Sequence, residues 1–142
     1  MTHIALVVAR FYEDIASELV LGAVGELERR ANTSYEVIEV PGAFEIPAAI
    51  AIALKSGRFD GFAALGCVIR GETTHYDYVC LESARGINQL AIEQHAAIGY
   101  GILTVENMEQ AWVRAAVTQG NKGADAIHAC LAVIGIKHSM GG

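Results

Sequence analysis

The chain has 142 residues, of which 53% are hydrophobic and 18% charged, and its formal net charge is −6. That length sets the expectation of one domain over residues 1–142. The acidic balance speaks against nonspecific nucleic-acid binding, so an anionic substrate would have to be held by a locally basic patch. The apolar excess is more than a small monomer readily hides, and oligomerisation is its natural outlet.

Ile4 to Ala9 reads as a buried strand and lacks the charged start and cleavage pattern of a signal peptide. No apolar run approaches the roughly 20 residues of a membrane span, so the expectation is a cytoplasmic protein with no membrane partner. Glu13 to Arg30 carries Ile15, Leu19, Ala23, Val24 and Leu27 at helical spacing. Tyr35 to Val40 is strand-like. Glu45 to Lys55 is alanine-rich, tolerates Pro47 only in a first turn, and meets Gly57 where a helix should stop. Gly61 to Ile69 suits a buried strand, and a helix is expected from about Tyr78 to His95. Gly99 to Val105 follows as a strand, Glu109 to Thr118 as a helix and Ala124 to Ile136 as another. The alternation predicts an α/β fold, a three-layer α/β/α sandwich on a mainly parallel four-stranded sheet, with sites at the C-terminal strand ends.

Cys67, Cys80 and Cys130 form no short-spaced pair, which fits buried thiols in a reducing compartment better than a disulfide framework. Cys67, His75 and Cys80 lack metal-ligand spacing, and His128 and Cys130 lie two apart on an expected helix and so face different ways. No glycine-rich loop matches the dinucleotide or Walker patterns. Neither a metal nor an organic cofactor is expected.

The segment from Leu65 to Tyr78 carries the strongest chemical signal. An apolar run stops at Arg70-Gly71-Glu72-Thr73-Thr74-His75. The backbone N–H groups around Gly71-Glu72-Thr73 can converge on a phosphate-sized anion at a helix N-terminus, with His75 beside it to move a proton near neutral pH. The alternative is that these residues merely cap a helix. Other candidates are equally two-sided on local evidence: Phe11 as a stacking ring or a core side chain, Glu45 as a hydroxyl acceptor or a helix-start carboxylate, Arg114 as an anion ligand or part of a solvated helix face.

Taken with Val7-Val8-Ala9-Arg10-Phe11, Val40-Pro41-Gly42-Ala43-Phe44-Glu45-Ile46-Pro47, Gly99-Tyr100-Gly101-Ile102-Leu103-Thr104, Arg114 and Gly120-Asn121-Lys122-Gly123, this segment resembles the lumazine synthase family over nearly the whole chain. The resemblance implies a flavodoxin-like fold. It also implies condensation of a ribitylaminopyrimidine diamine with a four-carbon dihydroxyketone phosphate, releasing phosphate and water, in riboflavin biosynthesis. Phe11 matches the aromatic that stacks on the pyrimidine. Tyr12 stands where relatives often have Asn, which leaves its side-chain role open. Ala43, Phe44 and Glu45 match the segment that holds the ribityl chain, with Ala43 acting through main chain because many relatives have Ser there.

Cys67, Val68 and Ile69 match the strand end whose peptide groups read the pyrimidine edge, with Cys67 a buried inert thiol rather than a nucleophile. Glu72 and Thr73 match the phosphate turn; the Glu72 carboxylate must face away from an anion. His75 matches the proton-transfer residue. Arg114 matches the arginine that neutralises phosphate from a neighbouring subunit, with Lys122 adding to the field, and Tyr100 sits where relatives usually have Phe closing over the ring. A rival reading is a noncatalytic flavin- or lumazine-binding oligomer.

Family members build pentamers and some associate into sixty-subunit shells. Shell formers typically read Gly-Thr-Lys-Ala-Gly-Asn before the last helix, whereas Ala116-Val117-Thr118-Gln119-Gly120-Asn121 keeps only the final pair, so the helix should continue differently into the turn. The chain also begins close to its first strand, leaving little extension to add to a neighbour's sheet. A homopentamer is expected, with a decamer or a sixty-subunit shell as lesser expectations.

Overall fold

The computed structural model describes Met1–Gly141; Gly142, the last residue of the expected domain, lies outside the described residues. Four strands form one parallel sheet: β1 (Thr2–Ala9), β2 (Thr33–Val40), β3 (Gly61–Ile69) and β4 (Ile98–Val105), in the spatial order β2-β1-β3-β4. Five helices are present among the described residues: α1 (Glu13–Glu28), α2 (Ile46–Ser56), α3 (His75–Glu93), α4 (Met108–Ala115) and α5 (Lys122–Ser139). The architecture is the three-layer α/β sandwich that the alternation predicts, with every strand pair parallel.

The two faces of the sheet follow the two-residue period of its strands. Ile4, Leu6 and Val8 of β1, with Ala63, Leu65 and Cys67 of β3, pack against α1, α4 and α5. Ala5, Val7 and Ala9, with Phe62, Ala64 and Val68, pack against α2 and α3. Both central strands are buried on both faces, which is why their sequences read as continuous apolar runs.

Element boundaries depart from the sequence expectation where backbone capping decides them. α3 begins at His75, not near Tyr78: the N–H groups of Asp77 and Tyr78 both donate to the Thr74 carbonyl, at 3.0 and 3.3 Å, so Thr74 is the cap. Tyr76 is already buried in that first turn. The helix ends at Glu93 because His95 takes a left-handed backbone, φ 54°. α2 is preceded by a single 3-10 turn, Ala43–Glu45, and ends at Gly57, whose φ of 71° suits glycine.

α4 stops at Ala115 instead of reaching Thr118. Ala116 leaves the helix with ψ 128°, the Gly120 N–H folds back onto the Val113 carbonyl at 2.9 Å, and the Val117 N–H is taken by the Glu18 carboxylate at 3.0 Å. The run from Ala116 to Asn121 is therefore a folded-back connection. α5 starts at Lys122, two residues before the expected Ala124, after Asn121 in a left-handed conformation, and runs on to Ser139.

Gly99 marks the closest approach of helix to sheet, since a Cβ there would lie 1.7 Å from the Ala126 carbonyl oxygen of α5. Gly99→Ala should force α5 away from β4 and lower stability in urea unfolding by at least about 1–3 kcal/mol. Gly25→Ala, at a site in α1 with nothing within 4 Å of the new methyl, should raise stability by about 0.5–1 kcal/mol. Equal losses in both variants would contradict this packing.

Candidate active site

The site arises from a mismatch of strand lengths. β1 pairs with β3 only as far as Val8 with Leu65, while β3 continues to Ile69 alongside β4, ending at the Ile69–Val105 pair. Beyond Leu65 the β1-facing edge of β3 has no ladder, so alternate peptide groups between Gly66 and Ile69 are left to hydrogen-bond something else. The chain leaves β1 toward β2 on one side and returns to β3 on the other. The gap is thus the switch point of the sheet, where ligands bind in open α/β folds.

An open cleft of about 490 Å3 occupies this gap. Eight of the expected residues line it: Phe11 from the end of β1, Ala43, Phe44 and Glu45 from the 3-10 turn after β2, Cys67, Val68 and Ile69 from β3, and His75 from the start of α3. Phe11 is 73% exposed and Phe44 55% exposed, which excludes the core alternative for Phe11. Glu45 belongs to its own turn, accepting the Gly42 N–H at 3.0 Å through one oxygen. Burial pushes the Cys67 thiol up to about 12, with nearby Cys80 adding to the rise. The His75 N–H donates to the Thr73 hydroxyl oxygen at 3.3 Å, tying the histidine to the turn after β3.

Four expected residues lie outside the cleft lining. Glu72 and Thr73 are exposed in the turn between β3 and α3, adjoining His75 but not facing the cleft. Tyr100 projects from β4, 39% exposed, into a separate groove with Leu81, Ala84 and Ile87; burial raises its phenol, against a hydrogen bond from Ser83. Arg114 is exposed on α4 and donates to the Gln110 carbonyl at 3.0 Å. A single chain therefore does not bring Tyr100 or Arg114 to the cleft. Arg70, beside the turn, is held by Glu106 at 3.0 Å and Asp77 at 3.4 Å and lies over the Tyr76 ring.

Tyr12, Gly42 and Val79 also line the cleft and were not expected to. Val79 stands one helical turn from His75 on the same face. A helix begun near Tyr78 hides that relation, whereas a helix begun at Thr74 would reveal it.

A flavodoxin-like sheet with an open cleft at its switch point defines the class: an α/β protein whose candidate site is made by the loops after β1 and β2 and the overhang of β3. The family model described as 6,7-dimethyl-8-ribityllumazine synthase matches residues 1–138. The chain is 51% identical to 6,7-dimethyl-8-ribityllumazine synthase 1 of Rhizobium meliloti (strain 1021), covering 98% of this chain and 94% of the relative. It is 50% identical to the 6,7-dimethyl-8-ribityllumazine synthase of Agrobacterium fabrum (99% and 97% covered) and 49% identical to that of Bartonella henselae (98% and 90% covered). The chain belongs to the 6,7-dimethyl-8-ribityllumazine synthase family.

With its thiol near 12, Cys67 exposes a thiolate fraction about three orders of magnitude below that of a free cysteine at neutral pH. Iodoacetamide at neutral pH should leave the Cys67 peptide unmodified by mass spectrometry while the protein stays folded. Rapid alkylation there would contradict the buried assignment.

Proposed function

We propose that the chain condenses 5-amino-6-(D-ribitylamino)uracil with 3,4-dihydroxy-2-butanone 4-phosphate to form 6,7-dimethyl-8-ribityllumazine, phosphate and water. The observation that carries this reading is the joint placement of an exposed aromatic ring, open strand-end peptides and a histidine around one cleft of suitable size. Full-length similarity to relatives bearing that name supports it.

In this reading Phe11 stacks on the pyrimidine, and the peptide groups of Cys67 and Ile69, which face the open edge of β3, pair with its rim while Val68 lines the cleft beside them. Ala43, Phe44 and Glu45 hold the ribityl chain, the Glu45 oxygen not engaged by Gly42 accepting a hydroxyl proton. The amine of the diamine attacks the ketone, water leaves, phosphate is eliminated and the second nitrogen closes the ring with loss of water. Orientation supplies most of the acceleration, and His75 carries protons between the reacting nitrogen and oxygen atoms. Glu72 and Thr73 offer main-chain and hydroxyl donors to the phosphate, with the exposed Glu72 carboxylate turned to solvent.

Arg114 and Tyr100 act on a neighbouring copy's cleft. The assembly is a five-membered ring, and the compartment is the reducing cytoplasm. Support comes from the apolar side chains left exposed around β4 and α3, among them Leu81, Ile92 and Tyr100, together with Trp112 and Val113 beside Arg114. Three free cysteines fit a reducing compartment. No helix among the described residues is long and apolar enough to cross a membrane.

Incubating the protein with both substrates should generate the lumazine chromophore faster than a no-enzyme control. Lumazine binding without turnover would favour the noncatalytic reading. Arg114→Ala should raise KM for the sugar phosphate and weaken competition by inorganic phosphate, a loss of about 2–5 kcal/mol if the pair is desolvated and much less at a wet rim. His75→Ala should slow turnover by about 10² or less. An unchanged sugar-phosphate KM in the first variant, or full activity in the second, would remove that residue from the mechanism. Light scattering at micromolar protein should give a mass near five chains, or ten if rings stack. A monomer would contradict a shared site.

A further inference from the structure

Tyr12 closes the first strand end and opens α1, and its side chain is unsuited to the second task. A helix cap favours Ser, Thr, Asp or Asn, whose short side chains accept from the free N–H groups of the first turn. Tyr12 has the extended backbone of a cap, and its carbonyl accepts the Ala16 N–H at 2.9 Å, yet its side chain makes no capping hydrogen bond. Glu13 and Asp14 supply the negative charge that the helix start prefers.

The ring turns instead into the cleft. It lines the wall beside Phe11, Cys67 and Ile69 and packs against the core on the α1 side. It meets the Phe11 ring edge-on, with centroids 4.9 Å apart and planes at 77°. Burial raises the phenol above its ordinary range and proximity to Cys67 adds to the rise, with the nearby Ile69 backbone opposing them. Phe11, by contrast, is 73% exposed, and Tyr12 is its aromatic neighbour. An exposed phenylalanine samples several rotamers, and an edge-to-face partner fixed by the core favours one of them.

We propose that Tyr12 is a positioning residue for the flat ligand of this cleft, holding the Phe11 ring in the orientation that stacks on the pyrimidine. The idea deepens the condensation reading and rests on it. Packing against the α1-side core keeps the tyrosine ring in place; the ring itself does the positioning. Loss of the ring weakens binding of the aromatic substrate selectively, because the phosphate-bearing substrate does not meet Phe11.

The test compares the wild type with Tyr12→Phe, Tyr12→Leu and Tyr12→Ser, each first checked for fold by circular dichroism and for assembly mass. Tyr12→Leu and Tyr12→Ser should raise KM for the diamine about five- to tenfold, with kcat and the sugar-phosphate KM within about twofold of wild type. Tyr12→Phe, which keeps the edge-on ring, should restore the diamine KM. Should the serine variant not fold, the leucine variant, with an apolar side chain in the same place, carries the comparison. Quenching of dimethylribityllumazine fluorescence on binding gives the same ranking without turnover. Wild-type affinity in Tyr12→Leu would overturn the proposal, as would an equal rise in both KM values or a phenylalanine variant as impaired as leucine. A wild type that binds lumazine with this dependence but never condenses the substrates would sink the condensation reading alone.

Discussion

The whole site depends on the four residues by which β3 outruns its β1 partner. A strand buried on both faces has no exposed backbone except where a neighbour ends, and β1 ends its pairing with β3 at Val8. The overhang from Gly66 to Ile69 therefore combines an apolar floor with unused peptide hydrogen bonds, the pairing that a flat heterocycle with a polar rim requires. Chain topology then fills the surroundings. β1 must turn into α1 at this level, which delivers Phe11 and Tyr12, and β2 must turn into α2, which delivers Ala43, Phe44 and Glu45. The strand itself continues into α3 and delivers His75.

The same geometry explains what one chain leaves undone. Arg114 follows β4 and sits on α4, on the side of the sheet away from α2 and α3. Tyr100 lies within β4 at the sheet edge and faces a groove rather than the cleft. In a protein of net charge −6, an anionic substrate needs positive charge close at hand, and Arg70 is already tied to Glu106 and Asp77. Under the proposed function a guanidinium from a second copy would meet that need, and the apolar side chains exposed beside β4 and α4 offer a surface on which copies would associate.

Much of this was legible in the residues because buried parallel strands write themselves as unbroken apolar runs, and Gly61 to Ile69 is β3 residue for residue. Eight residues around the cleft were legible through motif likeness, since the loops after β1, β2 and β3 gather at one end of the sheet when β1 lies between β2 and β3 and all three run parallel. Helix ends were less so. The start of α3 is set by carbonyl capping at Thr74 and the end of α4 by contacts from Glu18 and Gly120, partners distant in sequence or hidden in backbone geometry. Tyr12 was silent for a related reason: only the fold reveals that its ring abandons the helix cap and packs on Phe11.

Mixing two defective variants decides whether a neighbouring copy completes the proposed catalytic site. Folded His75→Ala and Arg114→Ala proteins, dissociated together and reassembled at equal amounts, should place intact clefts next to intact arginines in about a quarter of sites by random assembly. Lumazine formation should then rise to about that fraction of wild type, well above either variant alone. A mixture no more active than the mean of its two components, despite verified exchange of chains, would contradict a shared site.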